Sequence, residues 1–207
     1  MNFLPMHYLL VTGDVAVGKK PQRKPIVPSA VFGMVVFIIT EVMFFSALIS
    51  AYLIIRAGLA EWPPWGQPRL PIETTAFNTF LLILSAFAVF KSQKSSQQQN
   101  NSKAFQFHLG AIVLGVCFLI LQGYEWFQLL QFGMTLSSSV YGALFYLIIG
   151  AHGIHILAAL TAMVYAINFF KKAEFENQIH EKTLPIQILW YFVVGIWPLL
   201  YITVYLI

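Results

Sequence analysis

Residues Val140 to Phe170, VYGALFYLIIGAHGIHILAALTAMVYAINFF, run for 31 positions without one Asp, Glu, Lys or Arg. A helix rises ~1.5 Å per residue, so about 20 apolar residues cross a ~30 Å hydrocarbon layer. The run is continuously apolar rather than alternating, which argues against a strand of a membrane barrel. Extended to Ser138–Lys171 it is the longest of five such stretches, so it is expected to tilt or to project beyond the bilayer. The others are Ser29–Arg56, Thr74–Lys91 (the shortest), Ala104–Phe132 and Leu184–Ile207. The expected fold is an all-α integral membrane protein, a five-transmembrane-helix bundle over residues 29–207. Residues 1–28, with Pro21, Pro25 and Pro28, are expected to form an extended cytoplasmic tail on the membrane surface or on a partner.

Composition agrees. Of 207 residues, 58% are apolar or aromatic and 10% charged, against about 25% charged in a soluble domain; mean hydropathy is +0.73. A soluble enzyme and a nucleic-acid binder are both set aside. The single cysteine, Cys117, allows no disulfide or thiolate cluster within the chain. Met1 to Val17 hold one acidic and no basic residue, ahead of Lys19, Lys20, Arg23 and Lys24. That order is the reverse of a secretory signal, so no cleavable leader is expected.

The net charge of +4 records topology rather than an anionic ligand. Ten of the twelve basic residues fall in the tail, the Lys91–Lys103 segment and the Lys171–Lys182 segment, leaving Arg56 and Arg69 for the other side. By the positive-inside rule the N-terminus is cytoplasmic and the C-terminus outside. The Ser92–Ser102 stretch, SQKSSQQQNNS, is expected to be a flexible polar connection. The outer loop, with Trp62, Pro63, Pro64, Trp65, Gly66, Pro68 and Pro71, is stiff, and Trp62 and Trp65 are its headgroup-level anchors.

Ionisable residues within the spans are Glu41, His108, Glu125, His152 and His155. A charge at a helix centre costs about 2.5–3.5 kcal/mol on insertion scales, so each needs a reason. Glu41 lies near the midplane, either as a proton-accessible or gating carboxyl or as a neutral carboxyl that hydrogen-bonds across a helix interface. Glu125 is near the outer end of its helix, where it either anchors the surface by snorkelling or contacts another helix. His152 and His155 are three apart and share a face, with Gly150 and Gly153 leaving room for a neighbouring helix. A metal or haem site would need further converging ligands; hydrogen-bonding histidines satisfied by Glu41 or a lipid are favoured. No Walker loop, GxSxG, HExxH or multi-histidine box is present.

These residues carry a family pattern. GMVVFIITEVMFFSALISAYL (Gly33–Leu53), WPPWGQPRLPIETTAFNTFLLILSA (Trp62–Ala86), LQGYEWF (Leu121–Phe127) and SSSVYGALFYLIIGAHGIHILAAL (Ser137–Leu160) follow in order. Together the four resemble subunit III of the haem-copper respiratory oxidases. Glu41, Glu125, His152 and His155 fall on its motif positions, and the resemblance covers about Val31 to the C-terminus. Five spans match its shorter bacterial forms. In LWYFVVGIWPLLYITVYLI (Leu189–Ile207), Tyr191 and Val194 stand where the family usually has His and Asp.

The resemblance implies a non-catalytic subunit of a proton-pumping terminal oxidase in the bacterial cytoplasmic membrane, reducing oxygen to water. It implies no cofactor or metal in this chain, haem and copper in subunit I, and copper in subunit II. It further implies packing against subunit I, contact with subunit II and other oxidase subunits or a respiratory supercomplex, and phospholipid bound in a cleft between the first two helices and the rest. Alternatives are an accessory subunit of a nitric-oxide reductase or quinol oxidase of the same superfamily. From other classes, the alternatives are a di-histidine haem protein or a small proton-coupled transporter with Glu41 as its proton site, although the inverted repeats of transporters are not visible.

Overall fold

The computed structural model describes residues 29–172 and 178–207. The expected tail of residues 1–28 and part of the connection before the last helix lie outside them. Five helices follow in order: α1 (Ser29–Ala57), α2 (Ile72–Gln97), α3 (Asn101–Gln131), α4 (Val140–Lys171) and α5 (Ile179–Tyr201). The last continues as a π-helical turn, Ile202–Leu206, just after Pro198 interrupts the regular ladder. Each helix is long and apolar enough to cross a membrane. The 58–71 loop lies at one end of the bundle, here the Trp62 end, and the α2–α3 turn lies at the other.

Large apolar side chains such as Phe118, Phe145, Trp190 and Trp197 fill the bundle, but α2 is apolar outside and carries mostly small or polar side chains inside. On α2 the exposed positions include Phe77, Phe80, Ile83, Phe87 and Phe90, while the buried stripe is Thr75, Asn78, Leu82, Ser85, Val89, Ser92 and Ser96. The buried stripe of α3 is Ala104, His108, Ala111, Gly115, Phe118, Gln122, Glu125 and Leu129. Both stripes advance by alternating steps of three and four, the spacing of a left-handed coiled-coil seam. Lipid offers no hydrophobic drive between helices, so small residues that admit close approach and side-chain hydrogen bonds hold such a seam.

That seam overturns the expectation of a flexible Ser92–Ser102 connection. Helix α2 runs on to Gln97 and α3 begins at Asn101, leaving only residues 98–100 between them. Ser92 donates to the Ala104 carbonyl at 2.7 Å, and Asn100 Oδ1 caps α3 by accepting from the Lys103 N–H at 3.2 Å. Gln99, at φ 57°, supplies the left-handed residue that reverses the chain. The tract was polar because its buried face is part of the seam. With 26 residues α2 is not the shortest helix; the α-helical part of α5 has 23.

Helices α2, α3, α4 and α5 pack pairwise in a ring, and α1 lies outside it against α4 and α5. Trp190 shows how tightly the ring closes. A Cβ placed on Gly115 of α3 would stand 2.6 Å from the Trp190 ring of α5 and 2.9 Å from Leu160 of α4. Trp190 also donates its N–H to Ser85 of α2 at 3.1 Å. By contrast, α1 buries only Phe45 and Tyr52. The first two helices therefore do not stand apart from the others as a pair: α1 sits on α4 and α5, and α2 belongs to the ring.

Candidate functional site

Glu41 and His155 meet between α1 and α4. His155 Nε2 is 2.8 Å from Glu41 Oε2, with both side chains only partly exposed. His155 Nδ1 is 2.7 Å from the Ala151 carbonyl one turn earlier. A carbonyl can only accept, so Nδ1 carries a proton. The bond to Glu41 is then either a carboxylic acid donating to a neutral ring or an imidazolium donating to a carboxylate. In both cases one proton lies between Nε2 and Oε2, and the pair has no net charge. This is how α1 holds an acid in lipid, where a lone carboxylate would be costly.

His152 does something else. It is 1% exposed and stacks on Trp197 with ring centroids 4.8 Å apart. Phe45 and Phe118 meet it edge-on, and neither ring nitrogen has a hydrogen-bond partner among the described residues. The two histidines share Phe45 as a neighbour but do not converge on a common point. Both nitrogens of His155 are engaged, so it offers no unpartnered nitrogen beside His152.

Glu125 is 1% exposed, so of its two readings the interhelical contact describes its position and surface snorkelling does not. Its Oε2 lies 3.0 Å from Thr75 Oγ1 on α2 and accepts from Gln122 Nε2 at 3.1 Å. The same Gln122 nitrogen reaches the Tyr205 hydroxyl at 3.2 Å, and Asn78 donates to the Phe118 carbonyl of α3 at 3.2 Å. One turn inward, Trp197 donates to Thr79 Oγ1 at 2.8 Å. The cluster joins α2, α3 and the end of α5 around a single carboxyl.

Thr79, Ser85, Gln122, Trp190 and Trp197 lie on the family pattern but were given no role from sequence, and Thr75 and Tyr205 were not singled out. The signal was available in the three-and-four spacing of small polar residues on α2, which marks a buried face in a membrane helix. The histidine near the other end, His108, is buried and places Nε2 2.9 Å from the Met163 carbonyl. The two loop tryptophans part company. Trp62 donates to the Tyr52 hydroxyl at 3.2 Å and packs edge-on against Tyr141, whereas Trp65 projects, 88% exposed. At the two family departures, Tyr191 OH reaches Gln93 Oε1 of α2 at 3.5 Å, and Val194 is simply buried.

A sequence model of cytochrome c oxidase subunit III matches residues 19–207. The chain belongs to that family. Among curated relatives, the cytochrome c oxidase subunit 3 of Synechocystis sp. is 30% identical over 85% of this chain and 75% of its own. That of Drosophila yakuba is 32% identical over 84% and 68%, and a probable cytochrome c oxidase subunit 3 of Mycobacterium leprae is 29% identical over 84% and 86%. This subunit III is thus a multi-pass membrane component of an oxidase complex, associated with other oxidase subunits. Its polar clusters are those of a helical subunit whose outer surface is almost entirely apolar.

Proposed function

We propose that this subunit III is the redox-silent member of its oxidase. Haem and copper reside in subunit I and copper also in subunit II, while this chain braces subunit I, binds phospholipid and supports sustained proton uptake. The observation that supports this reading most directly is the pairing of Glu41 with His155. The midplane acid and the histidine best placed to be a ligand satisfy each other, and they hold the loosely attached α1 against α4. Glu125 is likewise committed to helix contacts. The distribution of Lys and Arg supports an N-terminus on the cytoplasmic side, with the Trp62 end outside, in the bacterial inner membrane.

Mild-detergent purification through this subunit tests the proposal. A large multihelical subunit rich in histidine ligands should co-purify, and the haem spectrum should stay with it when this subunit is stripped away. A Soret band from this chain alone, or its isolation without oxidase partners, would overturn the reading.

A further inference from the structure

The acceptors around Glu125 outnumber the hydrogens that its neighbours can supply. Phe118 and Pro71 present carbonyl oxygens, which only accept. The Phe118 carbonyl therefore faces Asn78 Nδ2, at 3.2 Å. The same nitrogen lies 3.5 Å from Gln122 Oε1. That contact turns Gln122 Nε2 toward Glu125 Oε2, at 3.1 Å, and the Tyr205 hydroxyl, at 3.2 Å. Both hydrogens of the Gln122 amide are then committed, one to each.

Thr75 is the remaining donor, and a hydroxyl has one hydrogen. Its Oγ1 is 2.8 Å from the Pro71 carbonyl and 3.0 Å from Glu125 Oε2. If Glu125 were a carboxylate, both partners would need that hydrogen, and one pair of oxygens would stand at hydrogen-bond distance with no proton between them. A proton on Oε2 completes the set. The carboxyl O–H donates to Thr75 Oγ1, and Thr75 donates to Pro71. The other oxygen agrees: Oε1 is buried with no hydrogen-bond partner, which costs a carboxylate far more than it costs the carbonyl of a neutral acid. No cation closes on the carboxyl. Arg69 lines a cavity with Glu125 and Pro71, but it is exposed and makes no ion pair among the described residues. The other titratable neighbours are Tyr205, reached through Gln122, and Tyr201, whose hydroxyl donates to the Ile72 carbonyl at 3.1 Å. Glu73, in the first turn of α2, is exposed.

We propose that Glu125 is a neutral acid whose proton acts as a latch, fastening the end of the 58–71 loop and the start of α2 to α3 through Thr75. Loss of the proton leaves one hydroxyl hydrogen between two acceptors. Thr75 then turns to the carboxylate and lets go of Pro71, so the latch opens as pH rises. It lies wholly within this chain and is independent of the partners proposed above.

Infrared difference spectra of the whole oxidase complex, unaltered minus Glu125→Gln, read the proton directly. At neutral pH the unaltered complex should show a carboxylic C=O stretch that the variant lacks. The band should lie at the high-frequency end for buried acids, because Oε1 accepts no bond. Thr75→Val keeps the shape but offers no acceptor and should move the band, while Thr75→Ser should leave it in place. Hydrogen exchange reads the latch. Thr75→Val should speed exchange at the start of α2 by about fivefold, the loss of one hydrogen bond, and Thr75→Ser should restore protection. Alkaline buffer should speed exchange there in the unaltered complex but not in Glu125→Gln, which keeps a donor toward Thr75 and has no proton to lose.

Carboxylate bands in place of the acid band would overturn the proposal. So would a band indifferent to Thr75→Val, or exchange that responds equally to alkaline buffer in the unaltered complex and in Glu125→Gln. Should Glu125→Gln fail to assemble, the difference between the unaltered complex and Thr75→Val contains the same band and decides.

Discussion

Replacing Glu41 by Gln keeps an oxygen and adds an N–H where His155 Nε2 can accept it. We expect Glu41→Gln to leave assembly and initial oxygen turnover nearly unchanged; loss of the complex would show that the charge itself is needed for folding. Glu41→Leu instead leaves Nε2 without a partner at a cost of about 1–3 kcal/mol, read as a lower temperature for loss of the subunit from the complex. A hydrophobic carbodiimide should label Glu41 ahead of Glu61 in the loop and Glu73 in the exposed first turn of α2, and ahead of Glu125, which is sealed from lipid. Even labelling of the four would refute the placement of Glu41 at a lipid-accessible helix interface. A glycine pair gives a control at the same scale. Gly115→Ala drives a Cβ into Trp190 and Leu160 and should cost about 1–3 kcal/mol, while Gly123→Ala, with nothing within 4 Å, should be nearly neutral in thermal denaturation.

At the scale of the element, α2 has its polarity inverted relative to a helix of a soluble protein. Ser85 accepts the Trp190 N–H from inside the ring, and Phe87, two positions on, is 55% exposed to the apolar surroundings. Ser85→Leu should therefore destabilise the subunit by about 1–3 kcal/mol through overpacking and a lost acceptor. Phe87→Leu on the same helix should change little. Comparable losses from both, measured as release of the subunit in detergent, would mean that the α2 seam is not the packed face. The same stripe explains the extra length of α2. Ser92 and Ser96 lie on it, so the polar tract after Lys91 continues the helix rather than ending it. Composition alone suggested a linker because Ser, Gln and Asn are common there; the three-and-four register was the better guide.

For the whole molecule, the closed ring of α2 to α5 and the peripheral α1 should differ in stability. Apart from Tyr52, α1 has Phe45 as its one fully sheltered side chain, and Phe45 also contacts both His152 and His155. Phe45→Ala removes about 3–5 kcal/mol of packing from that joint. Hydrogen exchange should then show α1 losing protection while α2 to α5 keep theirs. Uniform loss across all five helices would indicate one cooperative unit instead.

The number of spans, their approximate limits and the presence of Glu41, Glu125, His152 and His155 inside them were legible in the chain, because lipid imposes a length of apolar helix and makes every ionisable group in it conspicuous. The partners of those groups were not. Which side chain meets Glu41, why His152 faces Trp197 rather than a ligand, and that Glu125 is buried against Thr75 and Gln122 all depend on how the helices turn about their axes and on which of them adjoin. Hydropathy is nearly the same all round a helix such as α1, so it sets no rotation. Rotation follows from close approach at Gly115 and from hydrogen bonds between residues as far apart as Trp197 and Thr79, and those exist only once the ring has closed.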